Sequence, residues 1–189
     1  MALTSIALCA RALVKLGARS IASFDEGTAE AEVAAVLYPS VRDGLLSAHP
    51  WSFATGQATL ARLARDPVAD HAYAYQLPAD FLRALSLGTG TRGRGTEYRV
   101  VESALHCDAD QVVLSYVFRP DESGFPPFFD TALIATLAAE FCLPVTESTS
   151  RAELLRRIAE SEFRRARLID AQQDTPGRIE DFTLVEARR

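Results

Sequence analysis

Catalytic or metal chemistry in this chain would have to be built from three histidines, three cysteines and a few carboxylate pairs. His49, His71 and His106 stand apart. None belongs to a two-histidine helical spacing, and none sits in a carboxylate pattern that zinc ligation uses. Cys9, Cys107 and Cys142 are odd in number, far apart and without a C-x-x-C pair. That pattern disfavours a disulfide framework or structural zinc and suits a reducing compartment. A hydrolase dyad of Cys142 or Cys107 with a histidine would have no nucleophile motif around it. Asp25-Glu26 and Asp121-Glu122 fall in predicted loops. Solvated turns explain them better than a glycosidase pair, which needs a defined separation across a sugar. Gly88-Thr89-Gly90-Thr91-Arg92-Gly93-Arg94-Gly95 has the glycine content of a phosphate loop. It lacks the Lys-Ser/Thr ending and an evident following helix. It reads as a hairpin tip; the alternative is a loop that contacts a neighbouring chain or DNA, where Arg92 and Arg94 would touch phosphates. The expectation is therefore no enzyme, no cofactor and no metal.

Composition limits the remaining classes. A chain of 189 residues with 48% apolar content can bury a core of ordinary size as one domain. Its formal net charge of −5 is the opposite of the basic footprint of a protein that grips phosphates. A mildly acidic wall would still suit a channel through which DNA slides without sticking. The first residues show no basic region leading into an apolar run and cleavage site, and no stretch reads as long enough to span a bilayer. Neither secretion nor membrane insertion is expected.

Elements follow from periodicity. Ile6, Ala10, Leu13 and Leu16 recur at helical spacing, with Gly17 as the stop, giving a helix over about 3–17. Thr28 is a good N-cap for a second helix over 29–48, with Glu30 and Glu32 in its first turn. Val33, Leu37, Val41 and Leu45 form its apolar face, and Pro39 predicts a kink. The short link at Phe24–Gly27 predicts that the two helices are antiparallel neighbours. From about 55 to 118, short apolar runs broken by Gly, Pro and Asp predict a small antiparallel sheet. The clearest hairpin would join Tyr98–Val101 to Val112–Phe118 through a turn near Asp108 and Asp110, with Val112, Leu114, Tyr116 and Phe118 on one face. A further pair would join Thr59–Leu63 to Ala72–Gln76. Phe129, Leu133, Leu137 and Phe141 predict a third helix over 128–143, ended by Pro144. Ser150 and Glu153 form a capping-box pattern for a fourth over 151–173. Leu155, Ala159, Phe163 and Ala166 line one of its sides and arginines the others. The fold class is thus mainly α with a small antiparallel β insertion, an α+β helical bundle with central hairpins. Residues 1–174 form one domain, and 175–189 an extended C-terminal tail that is apolar but aperiodic.

Two phrases are distinctive. His49-Pro50-Trp51-Ser52-Phe53-Ala54 and Gln76-Leu77-Pro78-Ala79-Asp80-Phe81-Leu82-Arg83 stand between the helical halves. Trp51 and Phe53 read as core anchors at the helix-to-sheet junction. Pro78 fixes the backbone, and Asp80 would cap a turn or short helix at Phe81 and Leu82. In order, two helices, Pro-Trp-Ser-Phe-Ala, Leu-Pro-Ala-Asp-Phe-Leu-Arg, a hairpin ending Tyr116-Val117-Phe118-Arg119-Pro120, the 128–143 helix and a long last helix resemble one known pattern. It is that of the head-to-tail adaptor, or tail tubular, family of tailed bacteriophages. The Ala- and Arg-rich composition would also suit the adaptor of a gene transfer agent.

That resemblance implies assembly in place of catalysis. It implies a homo-oligomeric ring, usually of twelve copies, beneath the portal protein of a DNA-filled head. The ring would meet a tail or stopper protein on its other face and let DNA pass non-specifically through its channel. The place would be the head-tail junction of a virion or phage-like particle, assembled in the bacterial cytoplasm without a membrane. In such adaptors the C-terminal segment reaches onto the portal. Carried onto this chain, that makes Ile179, Phe182, Leu184 and Val185 apolar anchors and Arg178, Arg188 and Arg189 polar contacts. The alternatives are a small nucleic-acid-binding module, which would show steep salt-dependent DNA affinity, or a Cys/His hydrolase.

Overall fold

The computed structural model describes residues 3–90 and 94–173. It contains four helices and two small antiparallel sheets, the mixed α+β class expected. The helices are α1 (Ser5–Lys15), α2 (Ala29–Ala48), α3 (Pro127–Thr146) and α4 (Thr149–Asp170). The strands are β1 (Thr55–Thr59), β2 (Tyr73–Gln76), β3 (Phe81–Gly88), β4 (Arg99–Val101), β5 (Ala104–Cys107) and β6 (Val113–Phe118).

Local chemistry explains the helix ends. Thr28 Oγ1 accepts the Ala31 N–H, as its N-cap role requires. At the end of α1, Gly17 has φ of 69°; its N–H donates to the Val14 carbonyl, and the Ala18 N–H to the Leu13 carbonyl. This doubly bonded left-handed stop is the one glycine allows most readily. The fourth helix begins earlier than predicted. Its N-cap is Ser148, whose hydroxyl accepts from the Arg151 N–H, so the Ser150–Glu153 pattern lies inside the helix. Pro144 does not end α3 either, which runs on to Thr146 and stops at Glu147 in a left-handed conformation. A proline removes only its own N–H, and so close to a helix end the residual turn survives. Likewise α2 continues through Pro39 as one helix.

The third helix is the axis of the helical half. Phe129, Leu133, Leu137 and Phe141 are fully buried, and α1, α2 and α4 all pack on α3. The first two helices therefore meet through α3 more than each other, contrary to the neighbour expectation from their short link. By length and composition α3 could cross a bilayer. Here its apolar surface is mostly covered by protein, which accounts for the same composition.

The second helix departs from its predicted face. Ala31, Ala34, Tyr38 and Leu46 are its buried residues, whereas Val33, Leu37, Val41 and Leu45 are only partly buried. Its larger aliphatic side chains thus lie beside the core, while alanines allow the close approach to α3.

The sheets differ from the predicted hairpin. Strand order is β1-β6-β3 in one sheet and β2-β5-β4 in the other. The 98–101 segment pairs with β5, not with β6, through a two-residue turn at Glu102 and Ser103, with φ of 50° and 63°. Two successive positive φ values are the geometry that hairpin twist favours. The predicted 59–63 with 72–76 pairing survives in shortened form as a bridge between Arg62 and Tyr75. Strand β6 divides two cores. Leu114 and Tyr116 face a small cluster with Tyr75, Leu87 and Leu105, while Val117 joins the helical core.

Asp80 does not cap a helix, because Phe81 opens strand β3. Register shifts at 81–83 and 84–86 break the alternation of that strand. Phe81, Ala84 and Leu87 therefore serve the small core, and Leu82 and Leu85 the helical one.

Candidate docking surfaces

Trp51 occupies the point where the helices, the Pro-Trp-Ser-Phe phrase and the sheet meet. It is fully buried, and its indole N–H donates to the Leu45 carbonyl at 3.0 Å. Rings of His49, Phe129 and Phe163 stand edge-on at 4.8, 5.2 and 5.7 Å between centroids. Phe53 continues the cluster toward Phe125 and Phe129. Edge-to-face packing of this kind adds to simple area burial. Both aromatic residues of the phrase are thus packing residues.

Next to this cluster lies Asp170, the only polar or charged side chain buried among the described residues. The Ser52 N–H donates to both carboxylate oxygens at 3.1 Å, and the Ser52 hydroxyl to Oδ1 at 2.7 Å. His49 Nε2 stands 3.5 Å from Oδ2. Burial lowers the His49 pKa, helped by the Arg167 charge and opposed by Asp170. His49 is therefore neutral at pH 7, and the Ser52 donors compensate the carboxylate. The last turn of α4 is thereby fixed to the first residues after α2. In sequence Asp170 continues the apolar stripe of Ala159, Phe163 and Ala166, a polar residue at a core position.

A second polar pin joins α2 to the exit of β6. Arg119 donates to Asp43 through Nε and Nη2, at 3.0 and 2.7 Å, and Arg42 Nε donates to the same carboxylate at 2.9 Å. Glu122 accepts from Arg42 at 3.2 Å and from the Tyr38 hydroxyl at 2.8 Å. Burial alone would raise both carboxyls; hydrogen bonds from Arg119 and Arg42 to Asp43, and from the Glu122 backbone, Tyr38 and Arg42 to Glu122, hold them below their ordinary values. No local spacing reveals this network, because Arg119 and Glu122 stand 76 to 84 residues from their partners on α2.

Of the second phrase, Leu77 is buried in the small core, and Pro78 opens the turn, its carbonyl accepting the Phe81 N–H. Asp80 Oδ1 accepts the Tyr116 hydroxyl at 3.2 Å, and its carbonyl accepts the Arg119 N–H. Pro50, in the first phrase, is exposed directly before Trp51. The two phrases thus act as joints between helices and strands.

The potential chemistry residues are dispersed. His71 and His106 line a cleft of about 430 Å³ with Arg65, Asp70 and Arg99 on the outer sheet. His71 faces Asp108 at 3.4 Å. Cys9, Cys107 and Cys142 are buried; burial pushes the Cys9 thiol up to about 12. Cys142 contacts Thr146 and the Ser148 carbonyl, and Cys107 the Ala109 carbonyl, with no histidine among these partners. Among the described residues, no group of three His, Cys, Asp or Glu side chains is placed to hold a metal. Arg94 is exposed beside Gly95, which has φ of 99°. Arg92, together with Arg178, Ile179, Phe182, Leu184, Val185, Arg188 and Arg189, lies outside the described residues.

The feature missed in sequence is a groove over α3, between α2 and α4. One half, about 490 Å³, is lined by Val33, Val36, Leu37, Leu143 and Arg156. The other, about 320 Å³, is lined by Val41, Leu45, Thr136, Glu140 and Phe163. The apolar repeat of α2 is legible in sequence. What it faces is not, because periodicity cannot tell a core face from an open one. No protein-family model matches the chain, and no curated protein matches it.

Proposed function

We propose that this chain is a structural head-to-tail connector of a phage-like particle. In this reading, copies form a ring beneath a portal, join capsid to tail and surround the exiting DNA. The order of elements and the two junction phrases carry the resemblance. The structural observation that supports it best is the Asp170 clamp. A tail that reaches a partner needs a fixed origin, and Ser52 and Asp170 provide one at the end of α4. Docking of Arg178 to Arg189 on the portal would bury the apolar Ile179, Phe182, Leu184 and Val185. The acidic balance of the chain suits a wall along which DNA moves.

Removing Arg178–Arg189 tests this reading. The shortened chain should retain its melting temperature and lose co-sedimentation with portal-bearing particles. Unchanged attachment would refute the docking role of the tail. Strong, salt-sensitive DNA affinity of the isolated chain would favour the nucleic-acid-binding alternative.

A further inference from the structure

The surface of α4 supplies a counterpart to the groove. Leu154, Ile158 and Leu168 are exposed at 58%, 42% and 69%. With Arg157 and Arg165, also exposed, they form a stripe on the side of α4 away from the groove. At 100° per residue, the stripe and the groove-facing residues Arg156 and Phe163 are separated by about 160° around the helix axis. No carboxylate falls within the stripe. The groove, in contrast, carries Glu32 and Glu140 at its edge, with Arg156 as its single cation.

Length also agrees. From Val33 to Ala48 the α2 wall rises about 22 Å, and from Leu154 to Leu168 the stripe rises about 21 Å, at 1.5 Å per residue. Half-exposed aliphatic residues on facing walls form a seat for one helix. Each copy thus carries both a seat and a helix face of matching length and complementary charge.

We infer that the α2–α3 groove of one copy receives the Leu154–Leu168 stripe of α4 from the next copy. Because the two surfaces differ and lie on nearly opposite flanks, every copy gives and receives. Such a heterologous contact repeats until a ring closes. Glu32 and Glu140 meet Arg157 and Arg165, while the aliphatic residues bury each other. The inference deepens the connector reading and rests on it for closure of the ring.

Cross-linking of the full chain tests it. The native cysteines are buried, so introduced thiols dominate the chemistry. Val36→Cys and Ile158→Cys copies, mixed and mildly oxidised, should give intermolecular dimers that neither variant gives alone. Ile158→Glu should weaken self-association at least tenfold in sedimentation equilibrium while leaving the monomer melt unchanged, since Ile158 is already exposed.

Self-cross-linking of Val36→Cys alone would mean a symmetric contact and overturn the inference. So would a cross-link from Val36→Cys to Phe182→Cys within one chain, which would place the C-terminal segment in the groove. Oligomers that resist Ile158→Glu would overturn it as well. Portal attachment of the same proteins separates the two levels. Chains that attach without contacting one another sink this interface and spare the connector, whereas loss of both self-association and portal attachment in the native chain sinks both.

Discussion

The helical core and the core between the sheets are closed by different means. Around α3, burial is continuous: Phe129, Leu133, Leu137 and Phe141 are covered on several sides, and the rings about Trp51 seal one end. The small core has fewer layers. Leu105 and Leu114 are fully buried, and the Tyr75 hydroxyl donates to the Ala109 and Asp110 carbonyls of a loop. Its hairpin turns on two non-glycine residues at positive φ. The helical half therefore has apolar surface to spare and leaves some of it on the groove, while the sheet half depends on turn geometry and loop contacts.

The largest effect is expected from the helical half. Trp51→Ala removes the shared neighbour of several rings and should destabilise the protein by about 3–5 kcal/mol, measured by urea denaturation. A negligible change accompanied by lost assembly would turn Trp51 from a core anchor into an interface residue. Leu105→Ala probes the other core and should cost roughly 2–4 kcal/mol. Its signature is local: hydrogen exchange should accelerate in β2, β4 and β5 while α3 remains protected. Equal acceleration in α3 would show the two cores to be one cooperative unit.

This contrast also governs how much the sequence disclosed. In α3 the apolar repeat and the burial coincide, because one helix surrounded by others has little choice of environment. In α2 the same type of repeat marked the wrong face: the alanines that permit helix contact carry little hydrophobic signal, and the larger side chains line the groove. The strands failed for a related reason. Phe81, Ala84 and Leu87 recur every three residues through two register shifts, so β3 imitates a helical turn. Glu102-Ser103 lacks the Asn-Gly signature of its turn type, which hid the β4–β5 hairpin. The Trp51 anchor was visible from residue type. Asp170, the partner of Ser52, could be noticed only as a polar residue in an apolar stripe, and that contact spans most of the chain.

The smallest effect tests the polar pin between the two halves. In the folded protein Asp43 and Glu122 titrate below their ordinary values, where the Arg119 and Arg42 hydrogen bonds outweigh burial for Asp43. The unfolded chain therefore takes up protons first as acid is added. The stability contributed by the pin is present above the ordinary carboxylate range and is lost as pH falls through the folded pKa. Asp43→Asn should consequently lower stability at pH 7 by about 1 kcal/mol or less, since the groups are partly solvated. The gap between variant and native urea midpoints should close as pH falls below the ordinary carboxylate range and through the folded pKa of Asp43. A gap of unchanged size in acid would mean that Asp43 holds β6 to α2 by shape, and the electrostatic account of the joint would fail. A closing gap would show that charge, and not shape alone, ties the exit of β6 to α2.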